Sequence, residues 1–468
     1  MSAIIDELRS AFDTTTVLTG TDIDARYHTD MAGVPVAPPL AVMRPRSTED
    51  VSQFLKLCHQ ARVPVTTQGG MTGLVRATMP QRGEIVLSME RMTAIEEVDT
   101  GGGVVVTQTG VPLQRLQERV GQDGFMFPLD LGARGSCTIG GNISTNAGGI
   151  AVLRYGNTRA LVLGLEVVLP DGRVWQGLRA LRKDNTGYDL KQLFIGGEGT
   201  LGIVTAATLR LFPLPKGIET AFLGLSKVDD AMALFSRARM ASGDQLTAFE
   251  LIARFGIDMA LRHVPGIVDP LQKIYPWYVL IEMSSSEAQS GLKETLEQFL
   301  GEVMAAGLVA DGVIAASSAQ ARDLWRIREG LVEAQKYEGG SIKHDVSVPV
   351  SRVATFIKDA NHAIAERLPG IRPNAFGHVG DGNIHYNIHQ PERADAKVFL
   401  ARREEFNRIV HDIAVGLNGS ISAEHGIGRL KVEELAHYKA PLEIELMRRV
   451  KAALDPKGIM NPGKILAR

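Results

Sequence analysis

The sequence predicts an α+β protein of more than one domain, and three observations carry that expectation. Short β-branched runs alternate with short amphipathic helices through about the first 210 residues. Two prolines in Phe212-Pro213-Leu214-Pro215-Lys216-Gly217 break any continuing ladder and mark a boundary. Beyond it helices and strands go on mixing, with no internal repeat and no low-complexity stretch. The 468 residues leave room for two or three domains at about 150 residues each.

In chain order, Thr48-Glu49-Asp50 opens a helix whose apolar face is Val51, Phe54, Leu55 and Leu57. Val63 to Thr67, Val86 to Met89 and Val104 to Thr107 read as strands. Leu113 to Val120 is a second small helix. Leu161 to Leu169 runs as a strand into the turn Pro170-Asp171-Gly172, from which Arg173-Val174-Trp175 pairs back. Past the boundary, helices are expected over 228–241, 286–306, 318–336 and 350–368, and strands over 277–282 and 372–387. The tail reads as one helix over 432–454, stopped by Asp455-Pro456-Lys457-Gly458.

Composition excludes several classes. Hydrophobic residues are 44% and charged residues 22% of the chain, which is ordinary for a globular protein and unlike a disordered chain or coiled coil. Lys+Arg is 51 against 53 for Asp+Glu, a formal charge of −2, so the basic excess of a nucleic-acid binder is missing. No apolar run is long enough for a transmembrane helix, and the acidic start, Asp6-Glu7, is unlike a secretory signal. Two cysteines, Cys58 and Cys137, rule out a disulfide framework and fit a reducing cytoplasm. Glycine is in excess, 49 of 468 against a usual ~7%, and it is clustered.

Two matches to phosphate-binding motifs fail on context. Gly197-Glu198-Gly199-Thr200-Leu201-Gly202 fits G-x-G-x-x-G, yet a dinucleotide fingerprint opens a helix, and Ile203 to Leu211 alternates like a strand. Gly458 to Lys464 has P-loop spacing, but Ile465 follows where Ser or Thr is needed and no helix can follow.

Four constellations remain. The first is three glycine-rich loops: Gln68-Gly69-Gly70-Met71-Thr72-Gly73-Leu74, Pro128-Leu129-Asp130-Leu131-Gly132, and Gly140 to Gly149. One such loop is an ordinary turn. Three together, with interleaved Ser, Thr and Asn, favour a diphosphate cofactor, because glycine lets backbone N–H groups approach phosphate. The second is Gly377 to Asn387. A two-residue turn at Asp381-Gly382 sets His378 opposite His385, with Asn387 on the same face, where two imidazoles can share a metal ion. The third is Ser422-Ala423-Glu424-His425-Gly426-Ile427-Gly428, which reads either as a helix start capped by Ser422 or as a carboxylate that completes a His2Glu metal set, leaving His425 as a base. The fourth is Arg328, on a partly apolar helix face with Leu324 and Trp325, either snorkelling to solvent or reaching an anion, together with Lys343 nearby in Lys343-His344-Asp345.

Three segments taken together carry a family resemblance: Asp184 to Gly202, Gly377 to Asn387, and Ala423 to Gly428 with Met460-Asn461-Pro462-Gly463-Lys464. Over about residues 35–466 the chain resembles the FAD-linked D-2-hydroxy-acid dehydrogenases, a family that includes D-lactate dehydrogenase, the flavin subunit of glycolate oxidase and D-2-hydroxyglutarate dehydrogenase. The resemblance implies a two-part FAD-binding domain of the vanillyl-alcohol oxidase type over 1–215. It also implies a substrate domain over 216–421, an antiparallel sheet flanked by helices, and a segment over 422–468 that packs back on the FAD domain. It implies that Gln68, Gly69, Gly70, Met71, Thr72, Gly73, Leu74, Pro128, Ser136, Thr138, Gly141, Asn142, Asn146, Glu198, Ile203 and Asn461 line the FAD. No histidine stands in the first glycine loop, so the flavin is expected to be non-covalent. In the hydroxyglutarate branch the residues matching His378, His385 and Glu424 bind zinc, the residue matching His425 is the base, and Arg328, Lys343 and Asn387 match substrate contacts. One position departs: Val332 stands where that branch has a threonine, so a distal carboxylate loses a hydroxyl partner.

The expected reaction is metal-assisted oxidation of a D-2-hydroxy acid to the 2-oxo acid, with hydride passing to flavin N5. Sequence does not choose among zinc, manganese and iron, since His/carboxylate sites accept several divalent ions. It does not choose the acceptor either, whether a quinone, an electron-transfer flavoprotein, a cytochrome or oxygen, and a homodimer is compatible with it. The competing readings are a metal hydrolase with the glycine loops as turns, and a non-catalytic or partner-dependent flavoprotein subunit of a glycolate-oxidase-like complex. Neither nucleic acid nor a membrane span is expected.

Overall fold

A computed structural model describes residues 2–31 and 33–468. The chain forms two compact units. One holds the chain up to Gly149 with Gly156–Leu214 and Glu424–Arg468; the other holds Ile150–Tyr155 and Pro215–Ala423. Among the described residues no helix is long and apolar enough to cross a membrane.

Among the described residues the first unit contains three sheets, of four, five and two strands. In the four-stranded one, Ala41–Met43, Ile85–Ser88 and Val65–Gln68 run parallel, with Val17–Thr19 antiparallel at one edge. The crossover between two of these strands is the helix Thr48–Ala61, started by the Ser47 hydroxyl, which accepts from the Asp50 N–H. That helix buries Val51, Phe54, Leu55 and Cys58 against the sheet. The five-stranded sheet is antiparallel, in the order Ile95–Asp99, Val104–Gln108, Ile203–Arg210, Val162–Val168, Val174–Gly177. The turn at Pro170-Asp171-Gly172 makes its hairpin, with Gly172 at φ +88°. Sequence pattern does not announce Ile95–Asp99 as a strand, because a charged edge strand lacks an apolar face to read.

Two boundary expectations need correction. The proline pair limits a ladder without abolishing it, since Phe212 and Pro213 pair with Met126 and Phe125. The tail is two helices, Val432–Tyr438 and Pro441–Leu454, because a residue before proline is pushed out of the helical region and Ala440 sits at ψ 143°.

The end of the chain adds an extension to the parallel sheet, with Met460 bridged to Val65. The lysine of the failed phosphate motif is an internal anchor: Lys464 is buried, donates to Thr66 Oγ1 at 2.7 Å and lies 3.6 Å from the buried Glu84 carboxylate. Burial pulls its ammonium down to about 8 despite Glu84. The folded protein therefore binds fewer protons than the unfolded chain between pH 8 and 10.5, and stability should rise across that window by on the order of 3 kcal/mol. Melting temperatures at pH 7 and 10 should show this rise flattened in Lys464→Met.

The second unit is built on an eight-stranded antiparallel sheet. Its order is Asp311–Ile314, Gly217–Leu225, Trp277–Ser285, Leu246–Ala253, Arg372–His378, Asn383–His389, Ser341–Ile342, with Asp345–Ser347 also pairing on Asn383–His389. Strand alternation sorts the side chains into two layers. Phe249, Leu251, Ala375, Ile384 and Tyr386 pack on the helices Val228–Ser242, Leu292–Ala305, Val353–Arg367 and Arg403–Gly416. Ile252 and Phe376 face Arg254–His263 and Ser318–Ala334. The expected helix over 286–306 begins only at Leu292, because Gly291 adopts a left-handed φ of 62°. Leu246–Ala253 escapes sequence reading because it is buried on both faces and so shows no polar alternation.

Candidate functional site

In the first unit the first and third glycine loops border a cavity. Its walls include seven of the residues expected at the flavin: Gln68, Gly69, Thr138, Gly141, Glu198, Ile203 and Asn461. Thr67, Thr109, Ser144, Thr145 and Gly199 also line it and escape sequence reading, although Ser144 and Thr145 lie inside the third glycine loop. Gly70, Met71, Thr72, Gly73, Leu74, Pro128, Ser136, Asn142 and Asn146 are not in its wall; Leu74 is exposed, and Asn146 turns to accept from the Arg159 N–H. The third glycine loop is not all loop. Ile139–Thr145 is helical, capped by the Thr138 hydroxyl, which accepts from the Gly141 N–H.

The residues present fit a polar, phosphate-bearing cofactor. A Cβ on Gly70 would lie 2.0 Å from the Ser136 carbonyl oxygen, so only glycine lets these two backbones meet. Gln68 is held by its Nε2, which donates to the Tyr27 and Thr78 carbonyls. Its Oε1 and the Thr67 Oγ1 are buried without a hydrogen-bond partner among the described residues. Buried polar atoms of this kind normally find one, and here they belong to residues of the cavity wall.

Glu198 is a buried wall residue at φ +47°. Burial pushes its carboxyl above the usual range, while two N–H donors, Ile427 and Gly428, pull the other way. Those donors belong to the segment after His425. No helix starts at Ser422; Gly426 and Gly428 take positive φ, which breaks any helical run, so the capped-helix reading of this segment is corrected. The Glu424 carboxylate accepts from the Gly149 N–H at 2.6 Å, and His425 beside it is half-buried.

In the second unit the histidine hairpin forms with a different register. Val379–Asp381 is a 3₁₀ turn closed by Gly382 at φ +83°, so His385 pairs with Phe376 and not with His378. The slip is two residues, which keeps both histidines on one face, diagonal to each other with ring centroids 5.7 Å apart. The residue opposite His378 is Glu250, on the neighbouring strand.

Glu250 is the group that sequence reading misses; a lone carboxylate within Phe249-Glu250-Leu251-Ile252 is the available signal. It is fully buried, accepting from Arg328 Nε at 2.7 Å and lying 2.5 Å from His378 Nδ1. Burial pushes its carboxyl up, and the neighbouring His378 and Arg328, which donate hydrogen bonds to it, pull it further down, to about 2. Arg328 therefore does not snorkel. It is buried, with its guanidinium 4.8 Å from the Phe376 ring, because Glu250 supplies the counter-charge. Its terminal nitrogens have no hydrogen-bond partner among the described residues, which leaves a donor edge for an anion. A histidine that gives one nitrogen to a carboxylate offers the other as a lone pair, the usual arrangement of a metal-ligating imidazole. His385 Nδ1 lies 3.7 Å from the buried Asp345 carboxylate.

Asn387 is buried, donating to Gln335 Oε1 at 2.7 Å and accepting from the His344 N–H at 3.3 Å. Lys343 is exposed as a residue, yet partial desolvation of its ammonium lowers its pKa, and Lys336 adds to this. Val332, one helical turn beyond Arg328, is half exposed at 51%.

Comparison with known proteins shows the family and the fold. Residues 214–465 match the family described as FAD linked oxidases, C-terminal domain, and residues 39–177 match an FAD binding domain. The chain is 43% identical to the mitochondrial D-2-hydroxyglutarate dehydrogenase of Danio rerio over 428 residues, 91% of this chain and 78% of that protein. It is 38% identical to the D-2-hydroxyglutarate dehydrogenase of Stutzerimonas stutzeri over 473 residues, 99% of each. Its fold is similar to that of p-cresol methylhydroxylase, with a TM-score of 0.78 at 16% identity over 100% of this chain and 97% of the other.

Proposed function

The chain belongs to the FAD-linked oxidases, and within them to the FAD-dependent D-2-hydroxy-acid dehydrogenases, and from that premise we propose how its residues carry out the oxidation of a D-2-hydroxy acid to the 2-oxo acid. The observation that carries the reading is the buried Glu250 carboxylate joining Arg328 to His378, in a chain that also carries a glycine-lined cavity.

The cavity of the first unit would hold FAD through Gln68, Gly69, Thr138, Gly141 and Asn461. His378, His385 and Glu424 would hold a divalent ion, with zinc the first candidate; two imidazoles and a carboxylate leave coordination positions for a substrate. When bound, FAD supplies a two-electron acceptor and the ion a Lewis acid that lowers a hydroxyl pKa. Arg328 presents its donor edge to the carboxylate of the acid, with Lys343 as a second cation and Asn387 as a polar wall. His425 takes the hydroxyl proton on Nδ1 or Nε2 as the Cα hydride leaves.

The test is anaerobic absorbance in the flavin band against a panel of D- and L-2-hydroxy acids, before and after EDTA. Bleaching by a D-acid, lost with EDTA and restored by zinc or manganese, is the expected result. A protein that holds FAD and is bleached by no hydroxy acid is instead a partner-dependent flavoprotein subunit. The relatives act on a dicarboxylate by name. Val332→Thr restores a hydroxyl worth about 1 kcal/mol, so it should raise kcat/KM for D-2-hydroxyglutarate over D-lactate about fivefold. Equal changes for the two acids would take position 332 out of substrate choice.

An electron-transfer flavoprotein, a quinone or a cytochrome would re-oxidise the flavin. Cys58 and Cys137 are buried and unbridged, which fits the cytoplasm. A homodimer is the assembly to test by light scattering.

A further inference from the structure

We infer that Glu198 is a positioning residue for His425, its carboxylate clamping the segment that carries the base, and that this is its role at the cavity in place of a flavin contact. The inference rests on the reading of His425 as the base.

The two carboxylate oxygens of Glu198 are used in parallel. Oε1 accepts from the Ile427 N–H and Oε2 from the Gly428 N–H, each at 2.8 Å. These are the second and third residues after His425, so the clamp acts within one turn of chain from the imidazole. The approach is close: a Cβ on Gly426 would lie 2.7 Å from Oε1. From the other side the Val75 carbonyl accepts from the Arg429 N–H at 2.9 Å, and a Cβ on Gly428 would lie 2.2 Å from that oxygen. The segment is therefore held between two fixed acceptors.

Glu198 is itself over-determined, as a clamp requires. Its N–H donates to the Ser144 carbonyl at 2.8 Å, and its own carbonyl accepts from Asn461 Nδ2 at 2.6 Å. Asn461 in turn accepts from the Thr67 N–H at 3.0 Å. These contacts hold Glu198 in a left-handed conformation that a non-glycine residue adopts at a cost. A carboxylate has a reason to be here that an amide lacks. Two neighbouring N–H groups need two acceptors, and glutamine would turn an NH2 donor against one of them. A general base displaced by about 1 Å loses on the order of 10²-fold in rate.

A double-mutant cycle on full-length protein, read by stopped-flow flavin reduction with a D-2-hydroxy acid at matched flavin and metal content, tests this. Glu198→Gln should keep FAD, leave substrate KM within about twofold and slow reduction at least tenfold. Added to His425→Ala, it should change the residual rate by less than about twofold, because there is no longer an imidazole to place. Losses that multiply would overturn the inference, as would a Glu198→Gln protein that folds but does not hold FAD, which marks a flavin contact. Should Glu198→Gln fail to fold, Glu198→Asp, which keeps both acceptors one methylene short, goes through the same cycle under the same criteria. A wild-type rate in His425→Ala alone removes the base assignment, an outcome separate from any result at Glu198.

Discussion

His425→Ala is expected to lower kcat by about 10²–10⁴-fold and to leave the purified protein yellow. The imidazole is half-buried on a segment with no helix of its own, so its loss removes no core packing. The segment keeps its shape through backbone contacts, the Ile427 and Gly428 N–H groups on Glu198 and the Arg429 N–H on Val75. Flavin content, thermal unfolding and substrate KM should therefore stay close to those of the parent. A loss confined to kcat is the signature of an interaction made in the transition state. A variant that turns over like the parent would show that His425 takes no proton.

Glu250→Ala has the opposite character, with a large cost in stability and in activity together. The substitution strands the Arg328 guanidinium and the His378 imidazole in a layer formed by Ile252, Phe376 and Leu331. Removing one partner of a buried charged pair costs about 3–5 kcal/mol, chiefly because the other charge remains buried. Glu250→Gln keeps the volume and one acceptor but no charge, and should fall between the two. At the proposed metal site it should also weaken binding of a divalent ion about 10–100-fold, since the carboxylate that orients His378 is gone. Urea unfolding reads the first effect and competition with a chromogenic chelator the second. Unchanged unfolding in Glu250→Ala would mean that Arg328 reaches solvent.

Much of the chemistry is legible along the chain itself. The glycine loops stand out because a backbone that must approach phosphate or another backbone leaves glycine behind, as at Gly70. The G-x-G-x-x-G match fails for a local reason: Ile203–Arg210 alternates, and it is a strand. The histidine pair can be found from its turn, but with a register that is off by two. Asp381-Gly382 reads as a two-residue turn, whereas the chain takes an extra 3₁₀ turn that sequence does not announce. The shared face survives because a slip of two keeps strand parity.

By itself the sequence determined many of the elements, the family, the face on which His378, His385 and Asn387 lie, and the residue types available for acid-base work. These follow from periodicity and from local backbone demands, which neighbouring residues settle among themselves. Tertiary structure decided who meets whom. It put Glu250 opposite His378, 128 residues away, and so made Arg328 a buried cation. It also set Glu198 on the Ile427 N–H, 229 residues on, and turned a glycine-loop residue into a clamp for the segment bearing His425. Pairings of that kind depend on strand order and loop closure over long separations, and a burial that makes a carboxylate valuable leaves no periodic mark along the chain.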